Sequence, residues 1–164
     1  MFTSVKALLN SYKYEKDSTI TIFNSITNDA LSTTGYEGGR TLGFLMWHIV
    51  TTTSEMAVRA GIELRNREKD PMPETVAEMV AAYSEDAEKI LEFISNLSDA
   101  DLLIKKEYYG EQWRLGKAFF TIIIHQTHHR GQMTILMRKA DLRVHGVYGP
   151  GKEQWAEIGM PEMP

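Results

Sequence analysis

Apolar residues recur in four segments of this chain at the 3.6-residue spacing of amphipathic helices, and the strict alternation of a half-buried strand is scarce. The first segment runs from about Ser4 to Leu31, with Val5, Leu8, Leu9, Tyr12, Thr19, Ile20, Phe23, Ile26 and Ala30 on one stripe. The polar stretch Glu15-Lys16-Asp17 and the β-branched cluster Thr19-Ile20-Thr21-Ile22 lower its helix propensity without breaking the period. Gly35 and Gly38-Gly39 close it. A second helix is predicted from the N-cap Thr41 to about Ala60, with Gly61 as its stop. A third begins at Pro73, with Glu74 and Glu78 near the positive end of its dipole. Its stripe is Val76, Met79, Val80, Tyr83, Ala87, Ile90, Leu91, Ile94 and Leu97. The fourth spans about Gly116 to Leu142, with Arg138, Lys139 and Arg143 at its C-terminal end.

Four such helices with little strand signal predict an all-α fold, a four-helix bundle in a single domain over residues 1–164. The dozen residues from Gly61 to Met72 reach roughly 40 Å when extended, whereas a helix of about 20 residues is only about 30 Å long. A long crossover therefore fits between the second and third helices, which would then run parallel. The turn signal at Tyr109-Gly110-Glu111 predicts a small hairpin or an irregular crossing over Leu102 to Arg114. The tail from about 143 to 164 carries Tyr148, Trp155, Ile158 and Met160, and is expected to pack across the bundle.

Composition narrows the chemistry. Eighteen basic against 22 acidic residues give a net charge of −4, unlike a protein that grips phosphate backbones, so no nucleic-acid partner is expected. Cysteine is absent, so any metal must be held by nitrogen or oxygen. The first residues lack the basic lead and apolar run of a signal peptide, and no apolar stretch is long enough for a membrane span. A cytoplasmic location is the expectation.

The histidines carry the candidate chemistry. His125 and His129 stand four apart on the fourth helix and share the inward face of Ala118, Ile122, Gln132 and Leu136. His48 shares a face with Thr41, Leu45, Thr52 and Glu55 on the second. Three inward imidazoles from two helices either converge on one transition-metal ion or satisfy one another as hydrogen-bonded core residues. His128 is placed at the rim and His145 in a surface turn. A zincin protease needs HExxH, and Gln126 follows His125 here, so that peptidase chemistry is excluded.

The run His125-Gln126-Thr127-His128-His129-Arg130-Gly131-Gln132 resembles the HxxxHRGQ signature of the DinB family, four-helix bundles grouped with YfiT-like metal-dependent hydrolases. Trp47-His48 and the tail Gly146-Val147-Tyr148-Gly149-Pro150, followed by Trp155 and Gly159-Met160-Pro161, are similar to family members as well. The resemblance implies a DinB/YfiT-type bundle with its long crossover, a metal triad of His48, His125 and His129, zinc or nickel as the ion, and a homodimer. Three nitrogen ligands leave an open coordination position, which suits a catalytic site. A small-molecule substrate follows, either hydrolysed by an activated water or, in a low-molecular-weight-thiol S-transferase, bound as a thiolate. Candidate bases are Glu55, which can also pair with Arg59 at i+4, and His128; Gln132 is a candidate partner for a ligand imidazole. The competing expectation is a non-catalytic metal-binding or stress-response bundle.

Overall fold

Helix α1 (Val5–Asn24) begins where the Ser4 hydroxyl accepts from the Ala7 amide, and α2 (Leu42–Ala60) where Thr41 accepts from Phe44. Helix α3 (Val76–Ser95) opens with a reciprocal capping box between Thr75 and Glu78. A hairpin of β1 (Lys105–Tyr108) and β2 (Glu111–Arg114), turned by Tyr109-Gly110, feeds directly into α4 (Leu115–Lys139). The structure is a computed structural model and describes residues 1–161.

Three predicted boundaries move. The first helix stops at Asn24 rather than Leu31, and a 3-10 turn, Asn28–Ser32, takes over the remaining apolar positions. The Asn28 side chain accepts from the Val76 amide at 2.9 Å, so the chain leaves the helix to cap α3 while still burying Ile26, Ala30 and Leu31. Helix α3 starts at Val76, not Pro73, because the capping box sits at Thr75. Helix α4 ends at Lys139, not Leu142. Asp141 adopts a φ of 54°, and the Leu142 amide turns back to the Met137 carbonyl at 2.9 Å, a left-handed stop of the kind that commonly closes helices. Gly61 ends α2 as expected, at a φ of 96°, a conformation that glycine adopts without steric cost.

Cross-helix contacts fix the directions. Val5 meets Asp99, Lys16 meets Glu88 and Phe23 meets Tyr83, so α1 and α3 are antiparallel. Thr52 meets His125 and His48 meets His129, so α2 and α4 are antiparallel. Phe2 meets Gly116 and Phe120, and Thr19 meets Gln126, so α1 and α4 run parallel. It follows that α2 and α3 are parallel and that the link between them crosses the bundle lengthwise. That link is pinned midway. The Ser54 hydroxyl donates to the Arg65 carbonyl and accepts from the Arg67 amide. Arg67 in turn forks onto the buried carboxylate of Asp86 at 2.8 and 3.3 Å, a charge-assisted contact with the geometry that guanidinium and carboxylate share.

The tail packs in part. Val144 is buried, and the Tyr148 hydroxyl donates to Glu15 at 2.6 Å. Ile158 and Met160 are about half exposed instead of covering the bundle, because ion pairs hold this stretch from its polar side, Arg138 to Glu153 and Arg143 to Glu157. Positions 162–164 of the predicted tail lie outside the described residues.

Candidate metal centre

The α2 and α4 faces predicted to look inward bring His48, His125 and His129 together, with His129 buried, His48 and His125 half-buried, and Gln132 exposed rather than inward. The ring centroids of His129 lie 4.5 Å from those of both His48 and His125, and His48 and His125 are 5.2 Å apart. One ligand nitrogen from each ring falls within 4.8 Å of the others.

Tautomers follow from the partners. Thr52 sits one turn after His48, and its hydroxyl donates to the His48 carbonyl at 2.6 Å. With its proton spent there, the Thr52 oxygen accepts from Nδ1 of His125 at 3.3 Å, since a hydroxyl has one proton to give and lone pairs to receive. The Gln132 side chain is arranged in the same sense: its Oε1 accepts from Nδ1 of His129 at 2.9 Å, while its Nε2 donates to Nε2 of His128 at 3.0 Å. Both triad imidazoles on α4 thus carry their proton on Nδ1. Their bare Nε2 atoms face each other at 3.2 Å. Two lone pairs aimed at one another across that gap repel unless a cation lies beside them. Two nitrogens on one ion at bond lengths of about 2.0–2.1 Å are separated by about 3.3 Å at a tetrahedral angle and about 2.9 Å at a right angle. The observed spacing lies between these values, so the His125–His129 pair fits a divalent transition metal, with a His48 nitrogen within 4.8 Å of both.

Electrostatics keep the rings neutral and ready to bind. Burial first, then the neighbouring His129 and Arg40, lower the pKa of His48 to about 4, because a low-dielectric site and nearby positive charge both disfavour the imidazolium. Burial, then His129, His48 and His128, bring His125 down to about 4. His129 is lowered as well, chiefly by burial and against the opposing hydrogen bond from Gln132. Phe44 stacks on His48 with ring planes 12° apart, walling one side of the cluster.

The other candidates fall elsewhere. Glu55 is buried and shares the His48 face, yet one carboxylate oxygen is taken by Arg59 and the other accepts from the Tyr109 hydroxyl at 2.6 Å. It anchors the hairpin to α2. His128 is exposed, its ring 4.9 Å from that of His129, and Gln132 joins the two. His145, expected at the surface, is partly buried and lines a cavity together with Tyr14, Asp17, Ser18, Thr21 and Ile22 of α1.

Sequence reasoning missed a buried polar network beside the cluster. Arg130 reaches the Glu15 carboxylate, the Glu15 carbonyl at 3.0 Å and the Thr19 hydroxyl at 2.7 Å, and Thr19 and Tyr83 both meet Gln126. The available signal was Glu15 standing within an apolar stripe while Arg130 directly follows an inward histidine.

The DinB family model matches residues 1–163. An uncharacterized protein, YrdA of Bacillus subtilis, is 32% identical over 162 residues, covering 98% of this chain and 97% of its own. A DinB-like protein from Bacillus cereus is 33% identical and superimposes with a TM-score of 0.85 over 90% of this chain and all of that one. The DinB-like YjoA of Bacillus subtilis shares the fold at 14% identity, with a TM-score of 0.69 over 88% of this chain and 99% of that one.

Proposed function

The chain belongs to the DinB family, and from that premise we propose that it is a metal-dependent enzyme for a small molecule, either a hydrolase or a low-molecular-weight-thiol S-transferase. His48, His125 and His129 are its ligands, and zinc or nickel is its ion. The observation that carries the reading is the approach of the His125 and His129 Nε2 atoms to 3.2 Å, with a third imidazole alongside and with Thr52 and Gln132 engaging the two Nδ1 atoms. Among the described residues no carboxylate or fourth histidine joins the three, which leaves part of the coordination sphere to solvent or substrate. When bound there, a divalent ion would supply Lewis acidity and lower the pKa of a water or thiol on the open side.

The protein's own groups hold and orient. Thr52 and Gln132 fix the tautomers of His125 and His129, so that the ligand lone pairs point inward before any ion arrives. In this reading His128 acts through Gln132 as a positioning residue and Glu55 braces the hairpin, so neither serves as the base.

The test is the metal content of protein purified without an affinity tag. We expect one transition-metal ion per chain by elemental mass spectrometry. His125→Ala should drop it below about a tenth of that, given how strongly such sites depend on each ligand, while the helical circular dichroism persists. Unchanged metal in the variant overturns the triad. An ion that is retained yet inaccessible to thiols and small anions would point to a purely structural cation.

A further inference from the structure

A cavity of about 450 Å³ opens beside the histidine cluster, between the segment ahead of α2 and the last turns of α4. Gln132, the partner of His129, forms part of its wall together with Leu45, Leu136, Ile135 and Tyr36. Its single charged lining residue is Arg40. The guanidinium of Arg40 lies 5.1 Å over the Phe44 ring, and Phe44 in turn stacks on His48. The cation is thereby held in a ladder ending at a ligand imidazole. Among the described residues no carboxylate pairs with Arg40. Arg59, Arg65, Arg67, Arg130, Arg138 and Arg143 each have such a partner, and Arg114 at the end of β2 is the other arginine without one among the described residues.

We infer that this cavity is the substrate pocket of the site and that it takes a small molecule bearing a carboxylate or comparable anion, which Arg40 binds while the remainder of the molecule lies along the apolar wall toward the histidines. The inference rests on the metal reading above. A guanidinium in the same ladder as a ligand imidazole works against a divalent cation unless a negative group joins them, and a substrate anion would balance the arrangement. The lining gives the rest of the specificity. Ile135 and Tyr36 are mostly exposed, and an apolar ligand chain would cover them.

The probes are 6-mercaptohexanoate and its uncharged counterpart 6-mercaptohexanol, titrated into protein loaded with Co(II). The thiolate-to-cobalt absorption reports attachment, and calorimetry gives the affinity. Both thiols are expected to perturb the cobalt spectrum, with the carboxylate compound binding about tenfold more tightly, as expected for a charge-assisted contact near the surface. In Arg40→Gln that preference should shrink to within about twofold, with Arg40→Lys between the two, because lysine keeps the charge but not the fork. Cobalt stoichiometry and circular dichroism of the variants must match the parent protein. Equal affinities in the parent, or a carboxylate preference that survives Arg40→Gln, overturn the anion pocket and leave the metal reading standing. Failure to retain cobalt at all overturns both.

Discussion

A histidine is a good ligand only when its second nitrogen has already been told where to keep its proton. Thr52 and Gln132 do this by different means. Thr52 is a threonine on a helix whose hydroxyl proton goes to the carbonyl four residues back, which turns the oxygen into a pure acceptor for His125. Gln132 is one turn beyond His129 and uses both ends of its amide, one on His129 and one on His128. Gln132→Ala removes the acceptor and lets the His129 ring choose either tautomer. The expected result is a metal affinity lower by about 10–100-fold with the fold intact, measured by competition against a chromophoric chelator. An affinity within about twofold of the parent's would show that His129 is oriented by packing alone.

At the scale of elements, the bundle depends on a connection that cannot be short, because parallel neighbours must be joined across the full length of a helix. The link after α2 carries one buried ion pair for this purpose, Arg67 with Asp86, extended by Glu85 at 2.8 Å. Burial raises the Asp86 pKa, and the hydrogen bonds and charge of Arg67 oppose that shift without cancelling it. Arg67→Ala strands a buried charge and is expected to cost about 3–5 kcal/mol in urea unfolding. Replacing both members, Arg67→Met with Asp86→Leu, should restore most of that loss, because a well-packed apolar pair needs no desolvation. A double variant as unstable as the single one would locate the effect in the loop backbone instead.

These same elements explain what could be read in advance. The facing of His48, His125 and His129 was legible because helical period alone decides which side chains share a face, and the crossover was legible because chain length bounds reach. The end of α1 was not. Ile26, Ala30 and Leu31 continue the apolar spacing through a 3-10 turn, and the Asn28 side chain there is engaged by a long-range hydrogen bond from the Val76 amide that no local pattern announces. The Glu15–Arg130 pair was invisible for a similar reason: its two halves lie 115 positions apart, and Glu15 alone reads as a flaw in a stripe. Arg40 belongs to no periodic segment, and only the packed molecule places it over Phe44.

For the molecule as a whole, the histidine cluster couples a local chemical state to global stability, since its members sit on two antiparallel helices that must stay together for the ion to be held. Without metal, His48 and His125 titrate near 4 in the folded protein and near 6.5 once unfolded. Between those values the unfolded chain binds more protons than the folded one. The imidazoles therefore oppose folding increasingly as the pH falls from about 6.5 to about 4, and contribute nothing of this kind above 6.5. A bound ion adds stability through its preference for the folded state, and protons compete with it for the same nitrogens. Thermal unfolding followed by circular dichroism at about pH 4 to 8, with and without one equivalent of zinc, tests the coupling. The zinc-dependent rise in Tm should hold from neutral pH down to about 5 and begin to shrink only as the pH approaches about 4, where the folded rings start to take up protons. In His48→Ala the zinc-dependent rise should be reduced at every pH. A rise that survives loss of His48 undiminished would mean that zinc stabilises the bundle from somewhere other than these three imidazoles.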